Sequence, residues 1–213
     1  MILIYMFTCR KQDNTVLTYL NRLYERGKNL EYYTIEAKKM PYDCQEEDWE
    51  GLEYRTINLF GEEFVLFKSG VPNKLAKLVI DNNTKYTLRT GEILDLGGGY
   101  GLEIKQVDIK GDKVWVEFTK DGEFIEDTII DLEKCLSTWT LKLDNVEEEE
   151  NVTVLKIRLL SAFKGDIDAI VQIQGLWLID YQNAFTIEKG DIFGKFEVDE
   201  IGSSYLKFKV NET

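Results

Sequence analysis

Histidine is absent from the 213-residue sequence. That absence removes Ser-His and Cys-His nucleophilic pairs, His metal sites and the usual general base. Serine is scarce, with five in the chain. The three cysteines, Cys9, Cys44 and Cys135, have no CxxC spacing. A structural zinc site wants four Cys or His ligands, so none is expected. One disulfide plus a free thiol, or three buried thiols, both remain open. Basic residues are outnumbered, 26 against 39 acidic, for a net charge of -13. A nucleic-acid backbone needs clustered Lys and Arg, so nucleic acid is excluded as a partner. The surplus charge suits a solvated surface instead. No apolar run reaches the ~18 residues of a membrane-spanning helix. The apolar opening, residues 1–9, lacks a basic flank and a small-residue cleavage site. It fits the tail of a longer secretion signal or a buried strand, and reads best as the strand, or as the start of a chain that begins inside a longer gene.

What the chain does have is a 44% hydrophobic, 12% aromatic composition, enough to bury a core. Val16, Leu17, Leu20, Leu23 and Tyr24 follow helical spacing, with Asn14 as N-cap and Gly27 as the stop, predicting one short helix. A polar stretch around residues 41–48 reads as a loop. From about Leu52 the period changes to two. Val114, Val116 and Phe118 fall on one face, with Trp115, Glu117 and Thr119 on the other. Asp121-Gly122 then predicts a tight hairpin. Residues 152–160 and 169–179 read as long strands, and 195–198 with 205–210 as a closing hairpin. Only Pro41 and Pro72 occur, and neither interrupts a strand candidate. About a dozen strands separated by turn signals predict an all-β, sandwich-type fold.

Several motifs invite chemistry. Gly97-Gly98-Gly99-Tyr100-Gly101 resembles a phosphate cradle, but no Gly-Lys-Ser/Thr follows and a strand succeeds it, so it reads as a tight bend. Glu147–Glu150 reads as a solvated loop rather than a cation site. Asp166 and Asp168 lack the glycine and distal Glu of a calcium loop. Trp115, Trp139 and Trp177 lie in strand candidates, where large aromatics serve the core more often than a sugar platform. Three Asn-x-Ser/Thr sequons make Asn82, Asn151 and Asn211 glycosylation candidates, relevant if the chain is exported. No catalytic, cofactor or metal residues are expected.

An ordered set of blocks is more specific than any of these. It begins with Leu75-Ala76-Lys77-Leu78, then Lys85-Tyr86-Thr87-Leu88-Arg89-Thr90-Gly91-Glu92 and Gly99-Tyr100-Gly101-Leu102. It continues through residues 111–122 and Phe163-Lys164-Gly165. The last blocks are Gly175-Leu176-Trp177-Leu178-Ile179-Asp180 and residues 190–198. Across about residues 52–213 the chain resembles the S-layer family duplication domain of methanogenic archaea. The resemblance implies a non-enzymatic subunit with two linked β-sandwich domains that tiles into a porous lattice outside the membrane. It also implies secretion and glycosylation, and no catalytic residues to carry across.

The expected organisation is then an N-terminal extension over 1–51 bearing the short helix, followed by two sandwiches. The first is discontinuous, from 52–93 plus 184–213, and the second spans 94–183. The paired breaks at 97–101 and 180–183 are where both linkers would run. The function expected is a structural subunit of a cell-surface S-layer that self-associates in two dimensions, extracellular, with surface glycans as further partners. A secreted carbohydrate-binding or adhesion module is the alternative, which exposed tryptophans would favour. A carboxylate-pair glycosidase is third.

Overall fold

A computed structural model describes residues 32–44, 49–67, 72–108, 110, 112–133, 137–165 and 168–210. The expected N-terminal strand and helix, Cys9, Cys135, Asp166 and Asn211 fall outside the described residues.

The described chain is almost entirely β. In chain order the strands begin with β1 (Tyr32–Glu36), β2 (Lys38–Pro41), β3 (Glu53–Leu59), β4 (Glu62–Leu66) and β5 (Lys74–Arg89). Next come β6 (Ile93–Gly97), β7 (Tyr100–Val107), β8 (Lys113–Lys120), β9 (Glu123–Asp131) and β10 (Thr138–Leu143). Then follow β11 (Val152–Lys164), β12 (Ala169–Ile179), β13 (Phe185–Thr186), β14 (Ile192–Phe193), β15 (Phe196–Ile201) and β16 (Tyr205–Val210). They form three sheets, ordered β1-β16-β15-β14, β6-β7-β8-β9 and β10-β11-β12-β5-β4-β3-β2, with β13 added to β5.

The chain divides into two compact units. Unit 1 takes Met1–Met40, Tyr54–Lys77 and Gln182–Thr213, and unit 2 takes Pro41–Glu53 and Leu78–Tyr181. Strand β5 belongs to both. Its first residues pair with β4 and β13, and from Leu78 onward it pairs with β12.

In unit 1 alternation decides which residues meet. Ile57, Leu59, Leu66, Leu75, Ile187, Phe196, Val198, Leu206 and Phe208 form one buried cluster. Burial of each such side chain contributes about 1.5–3 kcal/mol. Phe60 sits at the β3–β4 turn with φ 54°, beside Gly61 at 91°. Its ring packs 5.4 Å from Phe193 and 5.7 Å from Phe208. Strand β1 pairs with β16 from Tyr32↔Lys209 to Glu36↔Tyr205. Helical spacing upstream gave no hint of β1 or β2, although Tyr32-Tyr33-Thr34-Ile35 is rich in β-formers.

In unit 2 the β6–β9 sheet buries Tyr100, Leu102, Ile104, Val107, Val114, Val116 and Phe118. Strand β7 touches both β11 and β12, and β9 touches β10. The Val114-Val116-Phe118 face is therefore core, as its period-two pattern predicts. Asp121 and Gly122 both have positive φ, 51° and 83°, the backbone of a tight hairpin turn. The glycine-rich run is a bend between β6 and β7. Gly99 has φ 81°, a left-handed backbone that favours glycine.

Candidate functional surfaces

Among the described residues no group of three or more His, Cys, Asp or Glu is placed to hold a metal ion.

One polar-aromatic cluster of unit 2 is built by a segment that reads as a polar loop. Tyr42, Cys44 and Trp49 are buried. The Trp49 indole N–H donates to Thr138 Oγ1 at 2.8 Å. Tyr42 sits edge-on to Trp49 and Trp177, with centroids 5.4 and 5.5 Å apart. The buried Lys156 amine lies 4.9 Å from the Tyr42 ring and 4.7 Å from the Trp49 ring. Cation–π attraction offsets part of the cost of removing that ammonium from water. Burial and then the Asp81 charge push the Tyr42 phenol up to about 12. Backbone bonds tie the segment down further: Asp43 N–H donates to Asp81 Oδ1 and Asn83 N–H to Asp43 Oδ2, at 3.0 and 2.9 Å. Gly175, φ 93° at a bulge in β12, lets Cys44 in, since a Cβ there would be 2.7 Å from its sulfur.

A second cluster centres on Tyr100. Its ring stacks on Phe118 with centroids 5.6 Å apart, and the Lys120 amine lies 4.5 Å from its centroid. Its hydroxyl donates to Asp180 at 2.9 Å. Both clusters fix structure; neither places a nucleophile beside a base.

At the β7–β8 turn, Asp112 faces Asp108. Desolvation, then a hydrogen bond and repulsion from Asp108, push the Asp112 carboxyl above the usual carboxylate range, with Glu133 adding to the rise and Lys113 opposing it. A carboxyl raised on folding stabilises most below its ordinary pKa, and the benefit is lost as pH rises through the folded value. Asp112→Asn is therefore expected to raise the melting temperature near pH 7, with the gain vanishing below about pH 3.5. A pH-independent effect, or a loss at neutral pH, would contradict this reading.

The sequence-predicted residues fall in different settings. Asn151 is exposed, with φ 57°, and closes the turn from Asp144, whose carboxylate accepts its N–H at 2.8 Å. That loop also holds Glu147–Glu150 and carries positive φ at Asn145, Glu147 and Glu148. Asn82 is half-buried in β5, opposite Leu176, and its amide donates to the Tyr86 hydroxyl at 3.3 Å. Trp177 is core, Trp139 half-buried and Trp115 exposed.

Trp115 belongs to a surface that sequence reasoning missed. On the outer face of the β6–β9 sheet, Trp115 lies opposite Ile129, with Gln106 on its other side. The neighbouring row runs Ile93, Glu103, Glu117, Asp127, and the next Gly101, Thr119, Phe124. Ile93, Trp115, Phe124 and Ile129 are 63, 37, 59 and 67% exposed. Lys105 bridges the two facing carboxylates, 3.2 Å from Glu103 and 3.5 Å from Glu117. The Trp115 indole N–H donates to Asp127 at 2.7 Å, which pins the ring along the sheet. The signal was present in the alternation, which put Trp115 and Glu117 on one side; what was missing was the register that adds Ile93 and Ile129.

Comparison with known proteins adds what geometry does not. Residues 9–213 match the family described as "S-layer protein". The chain is 46% identical over 182 residues to the Major S-layer protein of Methanosarcina barkeri, covering 85% of this chain and 27% of that protein. It is 44% identical over 184 residues to that of Methanosarcina acetivorans, again 85% and 27%. Against that of Methanosarcina mazei it is 42% identical over 181 residues, 84% of this chain and 27% of the relative. The chain thus spans about a quarter of the length of the curated relatives it matches.

Proposed function

Because the chain belongs to the S-layer protein family, we propose that it is a structural subunit of an archaeal cell-surface S-layer, a self-assembling, porous protein envelope. The observation that carries this is the 46% identity across 85% of the chain to a Major S-layer protein. Its work is architectural, not enzymatic: surfaces that meet neighbours, on a scaffold stiffened by its β-sheets. Each contact can be weak, since a sheet of many copies gains avidity that a single pair lacks. Its place is outside the cell.

Within that reading the two units are two linked β-sandwich domains, one inserted into the other. Support comes from unit 2, where the β6–β9 sheet packs its apolar face toward β11 and β12. The pairing of β13, near the C-terminal end, with the start of β5 supports a discontinuous outer domain.

The test of the main reading is assembly. Purified product of the full gene, spread on a lipid layer, is expected to form ordered two-dimensional arrays by electron microscopy. Strictly monomeric behaviour at high concentration would count against it. A second reading, a carbohydrate-binding or adhesion module, draws support from exposed Trp115 with its indole held by Asp127. Tight binding of one defined glycan by the monomeric protein would favour that reading instead.

Of the sequons, Asn151 is the glycan acceptor this reading favours, being exposed on a turn, whereas the Asn82 amide is engaged inside a paired strand. Produced in a Methanosarcina host, Asn151→Gln is expected to lose one glycan's mass and Asn82→Gln to lose none. Intact-mass spectrometry reads both; an unchanged Asn151→Gln mass would remove Asn151 from the candidates. Asn211 stays a candidate on its sequon alone.

A further inference from the structure

We propose that the outer face of the β6–β9 sheet is a contact surface for a second copy of this chain, and that it receives the exposed strand β2 of that copy. The inference rests on the self-assembly reading above and names the surfaces through which it acts.

Three observations lead there. Half of the eight exposed large hydrophobics among the described residues, Ile93, Trp115, Phe124 and Ile129, belong to this one four-stranded sheet. Apolar groups gathered on one face mark an interaction site more often than scattered ones do. The face is also acidic, since Glu103, Glu117 and Asp127 share one row across it and Lys105 pairs with the first two. Laid on its own image, it would set carboxylate row against carboxylate row, which disfavours a self-complementary pairing. The partner surface must therefore be a different part of the second copy, one that offers a cation beside an apolar group.

Strand β2 has that composition. It ends the order of its sheet among the described residues, and all four of its residues are exposed. Lys38 and Met40, two apart, project to one side of the strand, and Lys39 to the other. Two residues of extended chain span about 6.6–6.8 Å. The same spacing separates the carboxylate row at Glu117 from the apolar row at Trp115, because these too are two apart on one strand. A β2 aligned with β8 sets the Lys38 ammonium over the Glu117–Asp127 row as the Met40 thioether reaches Trp115 and Ile129. Methionine suits that role, being flexible and favourable against aromatic rings. Lys39 faces away and makes no such contact. A contact of this kind joins two unlike surfaces, so it propagates from copy to copy instead of closing a pair.

The test uses the full gene product and its array formation on lipid. Ile129→Lys and Ile93→Lys, at exposed positions that spare the core, are expected to raise the protein concentration needed for arrays by about tenfold or more. Lys38→Glu is expected to do the same, and Lys39→Glu to leave it near the wild-type value. Circular-dichroism melting checks that each variant folds. A photo-crosslinker at position 129 in otherwise wild-type arrays gives an independent reading. Mixed heavy- and light-labelled copies are expected to yield crosslinks between copies that map to residues 38–41. If wild-type arrays form while the variants assemble normally, or the crosslinks map elsewhere, to a glycan, or within one copy, this inference fails and the assembly reading stands. If the wild type forms no arrays, both fail together.

Discussion

Replacing Val116 with Asp is expected to unfold unit 2. Val116 is fully buried on β8, between Val114 and Phe118 on the same face, and its register partners are Ile104 and Thr128. A carboxylate placed there lies between the apolar side chains of Val114 and Phe118. Burying such a group costs several kcal/mol, a large part of the ~5–15 kcal/mol that holds a domain together. The group escapes part of that cost by taking a proton, so the variant is expected to recover some structure in acid. Thermal melting by circular dichroism reads the effect, and wild-type-like melting at neutral pH would mean that this face is not core.

Trp49→Ala is expected to be the next most damaging change. The indole is fully buried, donates to Thr138, lies edge-on to Tyr42 and forms one of the two aromatic faces over Lys156. Truncating a buried aromatic to Ala costs about 3–5 kcal/mol, or roughly 6–20 °C of melting temperature for a chain of this size. Beyond the cavity, the change leaves the Lys156 ammonium less well matched by its surroundings. The expected pattern is selective: faster proteolysis near residues 41–53 than elsewhere, measured by mapping early cleavage sites. Melting within a degree of wild type would show that this segment contributes little to unit 2.

These two residues also mark where the sequence was readable. Val116 lies in Lys113–Lys120, a strand whose burial alternates cleanly, and Asp121-Gly122 closes it in the conformation that pair favours. Both are local signals, and local signals survive in a single sequence. Trp49 was not readable. It stands in a run of Gln45, Glu46, Glu47 and Asp48, where composition argues for a solvated loop, and its partners Thr138 and Lys156 are distant in the chain. Nothing in periodicity announces that a polar stretch will fold back through one tryptophan. Trp115 failed differently. Its outward orientation was legible, but an exposed surface takes its meaning from neighbours across strands, and register is set by turns and bulges such as that between Ile104 and Gln106. The absence of histidine was legible from composition alone, whereas the arrangement of the exposed surfaces needed coordinates.

The division of the chain has a temporal consequence. Unit 2 is drawn from residues 41–53 and 78–181, so all of it has emerged once about Tyr181 has been made. Unit 1 has no such completeness. Strand β1 waits for β16, and the start of β5 waits for β13, both encoded in the last segment of the chain described here. During synthesis or passage through a narrow exit, the inserted unit can close while the outer one still presents open strands. Those open strands are a hazard, because unpaired edges recruit one another. The order of emergence therefore makes residues 182–213 the segment that completes unit 1, and deleting them is expected to produce aggregates in which unit 2 remains folded.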